Sequence, residues 1–134
     1  MTSTALALIL FIAWTLLLLV LMEAIRSWLV LSRQVPANGF RPNNDNLAPF
    51  MQRLARAHLN CLEGLPIFGG LMIAALLTGK TSVTDGLALW LVAARAVQTA
   101  IHLASVSEIA VTLRFTAFAA QMAIGIYWVW RLLA

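Results

Sequence analysis

Charge is what this sequence has least of. Only 10% of its 134 residues are charged, against about 25% in an ordinary soluble domain. A soluble chain of this length cannot hide a composition that is 62% hydrophobic with a mean hydropathy of +0.90. The single Cys61 excludes an intrachain disulfide and a cysteine-based metal cluster. His58 and His102 are the only histidines, and no metal-ligand spacing such as HExxH joins them, so no metal site is expected. The net charge is +4, yet no basic run or aromatic-interleaved patch exists, which excludes a nucleic-acid partner. No basic stretch precedes the first apolar run, and that run exceeds the 7–15 residues of a signal-peptide core, so it reads as a membrane span. No internal repeat emerges, which argues against an inverted-repeat transporter.

What is present is apolar length. A membrane-spanning helix needs about 20 apolar residues, and the chain has room for four with short loops. The expected fold class is therefore all-α: an integral membrane four-helix bundle in one domain over residues 1–134, its partner the lipid bilayer. The spans are expected at 4–31, 47–78, 86–104 and 108–133. Residues 32–48 form the one long loop, punctuated by Pro36, Gly39 and Pro42. Asn44, Asp45 or Asn46 reads as the cap of the second helix, with Pro49 in its first turn. Pro66 removes a backbone donor and predicts a kink there. Thr84 or Asp85 reads as the cap of the third helix and Ser107 as that of the fourth.

Polar residues in the spans fall on single faces. At about 100° per residue, Arg53, Arg56, Asn60 and Glu63 occupy a sector of about 80° on the second helix, while His58 points elsewhere. Arg95, Gln98 and His102 share a face of the third helix at i, i+3 and i+7. Arg114, Phe118 and Gln121 share one on the fourth, with Gly125 just below. Charges at membrane depth face a bundle interior or a wet cavity. One-sided stripes on three helices read as a polar site between helices; the other reading is that they hold the helices in register. Glu23 and Arg26, one turn apart, read as a neutralised interfacial pair. The positive-inside rule places the long loop and the third loop in the cytoplasm, with Arg26, Arg33, Arg41, Arg53, Arg56 and Arg114 on that side, and both termini opposite. The polar stripes lie toward the cytoplasmic side.

The stretch FMQRLARAHLNCLEGLP supplies Phe50, Arg53, Arg56, Ala57, His58, Asn60, Glu63 and Pro66. It resembles the signature of the membrane-associated proteins in eicosanoid and glutathione metabolism, with Gln52 where the family usually has Glu. The resemblance covers most of the chain. It implies a homotrimer with active sites between subunits, glutathione as co-substrate, and a lipophilic small molecule as second substrate. By that resemblance Arg33, Arg56, Asn60, Glu63, Arg95, Gln98 and His102 match glutathione-binding positions, and Arg114 matches the catalytic arginine. Gly64, His102 and Phe118 stand where family members often carry tyrosine, so those hydroxyl contacts are missing or replaced. The chemistry implied is a thiolate held beside an arginine that stays protonated, attacking a lipophilic electrophile or a hydroperoxide. Arg33, Arg56 and Arg95 are suited to the peptide's carboxylates and Glu63 to its ammonium. The expected function is a glutathione transferase- or peroxidase-like membrane enzyme. Two alternatives are a non-catalytic scaffold or accessory subunit of the same fold, and a small drug/proton antiporter using Glu23, where Arg26 one turn on would suppress proton exchange.

Overall fold

The computed structural model describes residues 1–134. It has no strand, and its four helices are each long and apolar enough to cross a bilayer: α1 (Ser3–Leu31), α2 (Pro49–Leu77), α3 (Thr81–Ala104) and α4 (Glu108–Leu133). The shortest, of 24 residues, spans about 36 Å at 1.5 Å per residue. The helices alternate in direction, so both termini lie at one end of the bundle and residues 32–48 at the other.

Each helix turns one stripe inward. On α1 the stripe is Thr4, Ala7, Phe11, Thr15, Leu18 and Met22, spaced by three and four as a packed helix requires. Most of the remaining surface of α1, including Leu10, Leu17 and Val20, is exposed and apolar, as lipid contact demands. The α3–α4 pairing is the most extensive, and α1 packs on α3. Two apolar clusters result. One holds Phe11, Phe68, Met72, Leu91 and Trp128 near the termini; the other holds Leu18, Met22, Met51, Leu54 and Cys61 toward the long loop. A polar layer lies between them.

Two expected starts, and the caps assigned to them, are corrected. Helix α2 begins at Pro49, not 47, with Ala48 as an N-cap that offers no side-chain bond. The expected caps are occupied elsewhere. Asn44 Oδ1 accepts from Arg26 Nε at 3.1 Å and its Nδ2 donates to the Met51 carbonyl at 2.9 Å. Asp45 pairs with Arg41 at 3.1 Å, and Asn46 Nδ2 donates to the Gly39 carbonyl at 2.8 Å. Pro49 at the first helical position needs no donor and starts the helix unaided. Helix α3 begins at Thr81, not 86. Gly79, at φ +68°, closes α2 in a left-handed turn, with the Lys80 N–H bonded to the Ala75 carbonyl at 2.9 Å. Thr84 and Asp85 thus lie inside α3. They serve α1 instead: Asp85 Oδ1 accepts from the Thr4 N–H at 2.9 Å and its hydroxyl at 2.6 Å.

The expected disruption at Pro66 takes the form of a π-helical turn, Leu65–Gly69, inside α2. Proline offers no N–H to the carbonyl one turn back, and a wider turn reroutes the ladder around it. Ser107 caps α4 as expected, accepting from the Ala110 N–H at 3.2 Å. Glu23 and Arg26 pair at 3.2 Å at the loop end, with the Glu23 side chain 54% exposed.

Candidate functional site

The polar layer is built by α2, α3 and α4 at one depth. Asn60 and Arg95 lie 11 and nine residues from the loop-side ends of their helices, about 16 and 14 Å along the axis. Asn60 Oδ1 accepts from Arg95 Nη1 at 2.5 Å and from Gln98 Nε2 at 3.0 Å. Gln98 Oε1 in turn accepts from Gln121 Nε2 at 2.8 Å. Three helices are tied by these bonds. Thr99 adds a fourth link, accepting from Trp14 Nε1 of α1 at 3.1 Å and lying 3.3 Å from Cys61 Sγ.

Arg95 is the largest buried charge, at 1% exposure. No carboxylate pairs with it. Its guanidinium lies between the rings of Phe11 and Phe118, 5.5 and 6.0 Å from their centroids, where the negative ring faces attract a cation. Its Nε and Nη2 have no hydrogen-bond partner. Gly64 makes room for it: a Cβ there would stand 2.5 Å from Nη2. A larger residue at 64 and this position of Arg95 are incompatible.

Beside the layer, α2 and α4 diverge and leave a cleft of about 780 Å³. Asn60, Glu63 and Gly64 form its polar end, and Phe68, Met122 and Ile126 are among the apolar residues along its length. Gly125 lets Phe68 pack against α4, since Phe68 Cε1 would lie 3.0 Å from an added Cβ. The result is an apolar trough that meets an amide and a carboxylate at one end.

The expected site residues divide into three groups. Asn60, Arg95 and Gln98 are brought together, with Arg95 and Gln98 buried behind Asn60 and away from the cleft. Arg56, His102 and Arg114 lie within about two turns of the loop-side ends of α2, α3 and α4. The two arginines make that corner positive. Arg56 and Glu63 are exposed and Arg114 is half-buried; none of the three forms an ion pair within the chain. Arg33 stands apart in the long loop, exposed, with a left-handed backbone at φ 60°. Gln121, fully buried, and Phe11 complete the layer. Gln121 shares the α4 face of Arg114, which was its only signal in the sequence; Phe11 gave none among the apolar residues of α1.

A donor-rich corner, a carboxylate and an amide beside an apolar trough can hold a zwitterionic or anionic head group and an apolar molecule side by side. Arg56 and Glu63 stand unpaired on an outward face of α2, where lipid solvates charge poorly. In comparison with known proteins, the family model described as the MAPEG family matches residues 4–134. No curated protein and no solved structure matches the chain.

Proposed function

The chain belongs to the MAPEG family, and we propose that this integral, multi-pass membrane protein is a glutathione-activating enzyme. It would bind glutathione at the positive corner, hold its thiol as thiolate, and direct it at a lipophilic electrophile or hydroperoxide in the apolar cleft. The observation that carries the reading is the position of Asn60 and Glu63 at the polar end of that cleft, with Arg56 and Arg114 unpaired nearby.

Each role follows from chemistry. Arg114 is the cation set beside the thiol. A thiolate is the nucleophilic form, and a neighbouring cation lowers the thiol pKa; each unit of lowering corresponds to about 1.4 kcal/mol. Arginine keeps its charge in such surroundings. Arg56, His102 and Arg33 offer donors to carboxylates, and Glu63 accepts from the peptide's ammonium. Asn60 offers its amide, while Arg95 and Gln98 support it from behind. Arg33 and the outward face of α2 meet in the assembly we propose, a homotrimer with the site between subunits. The loop side faces the cytoplasm, where the peptide is, and the termini lie opposite.

Titration of glutathione into purified protein, followed by thiolate absorbance in the ultraviolet, tests this. Wild type is expected to give a thiolate signal near neutral pH and Arg114→Ala none. No signal and no thermal stabilisation of wild type by glutathione would remove the assignment. A second reading rests on Gly64 and Phe118 in the cleft wall, which lack the tyrosine hydroxyls expected of catalytic members. In that reading the same fold is a non-catalytic scaffold, recognised by a stable trimer that binds no thiol.

A further inference from the structure

Hydrogen-bond polarity in the buried layer is set by one residue. A guanidinium has five N–H donors and no acceptor. The Asn60 atom 2.5 Å from Arg95 Nη1 must therefore be its oxygen. The same oxygen accepts from Gln98 at 3.0 Å, so Gln98 must turn its own oxygen outward, and Gln121 donates to that oxygen at 2.8 Å. Asn60 and Gln98 are thus oriented by the single group that cannot accept, and Gln121, which also donates to the Ala117 carbonyl at 3.1 Å, agrees with them. The carboxamide of Asn60 is planar, so fixing Oδ1 inward turns Nδ2 the opposite way. Asn60 Nδ2 donates to nothing within the chain, and Asn60 lines the cleft.

We propose that Arg95 is a positioning residue: it locks the Asn60 amide with its oxygen buried and its Nδ2 donor presented at the polar end of the cleft, to an acceptor atom of the bound ligand. Arg95 itself stays sealed behind Gly64, Phe11 and Phe118 and does not touch that ligand. The missing side chain at Gly64 is what lets the guanidinium come close enough to act on Asn60. The inference rests on the glutathione reading for the identity of the ligand, but the polarity of the layer does not.

Asn60→Asp is the direct test, because it is isosteric. It gives Arg95 a carboxylate and replaces the donor facing the cleft with an acceptor. The expected result is a rise in Tm of about 3 °C or more together with glutathione binding weakened at least tenfold, the scale of one exchanged hydrogen bond. A raised Tm with unchanged affinity would overturn the proposal, as would an unchanged or lowered Tm. Arg95→Lys also only donates and is expected to keep affinity within about threefold, whereas Arg95→Gln, which can turn either way, loses about tenfold. Equal losses in the two would overturn it. In an Asn60→Ala background Arg95→Gln is expected to change nothing further; an added loss would mean that Arg95 meets the ligand directly. If wild type binds no glutathione, the proposed function falls, and the Tm of Asn60→Asp alone decides the polarity.

Discussion

Gly64 and Arg95 occupy one space: a methyl group on the first would stand 2.5 Å from Nη2 of the second. The guanidinium lies between Phe11 and Phe118 and bonds Asn60 through Nη1, so giving way to a methyl group disturbs that bond. Gly64→Ala gains about 1 kcal/mol of helix propensity and loses about 1–3 kcal/mol to overpacking. The expected net is a Tm lower by a few degrees and weaker glutathione binding. In an Arg95→Met background the same substitution should be tolerated, a coupling measurable by a double-mutant cycle on Tm.

Asn44 is fully buried, although it lies in the long loop. It ties Arg26 of α1 to the Met51 carbonyl of α2, and its φ of 56° suits asparagine better than most residues. Asn44→Ala removes the acceptor of Arg26 Nε and strains the backbone, at an expected cost of about 2–4 kcal/mol. Limited proteolysis should then cut within residues 32–48 faster than in wild type. An uncut variant with unchanged Tm would show that the loop is fixed by something else.

Glu23→Gln is expected to do little. The pair with Arg26 is at the loop end, with the carboxylate side chain 54% exposed, and exposed pairs contribute about 0–1 kcal/mol. Arg26 keeps its bonds to Asn44 and the Arg41 carbonyl. Drug resistance of cells expressing the variant should equal that of cells with wild type. A loss of resistance would revive proton-coupled efflux.

Arg56 and Glu63 are exposed on α2 without partners in the chain. Light scattering corrected for detergent is expected to give three chains per particle. Arg56→Leu with Glu63→Leu should leave that number unchanged and abolish glutathione binding if the pair serves the ligand. A wild-type monomer or dimer would rule out a site completed by a third copy.

The apolar runs made four spans legible, and period made their inner stripes legible: the α4 bounds 108–133 and the shared face of Arg95, Gln98 and His102 follow from spacing alone. The starts of α2 and α3 did not. Asn44, Asp45 and Asn46 are all good caps locally, but Arg26, Arg41 and Gly39 claim them from other parts of the chain. Asp85 looks like a cap for its own helix and is one for α1. Spacing likewise puts Arg95 on the site's face without saying how far in it reaches. That depth depends on Phe11, a residue of another helix, and on the absence of a side chain at Gly64.

A greasy helix in a bilayer has little reason to prefer one axial offset over another, because sliding exchanges one hydrocarbon contact for the next. The layer of Asn60, Arg95, Gln98 and Gln121, set between two apolar clusters, removes that freedom. A slip of one turn, about 5.4 Å, would bury its donors and acceptors opposite aliphatic carbon. The layer thus acts as a vernier for the bundle. It fixes the depth at which α2, α3 and α4 stand against one another, and with it the point where the cleft's polar end meets its apolar walls.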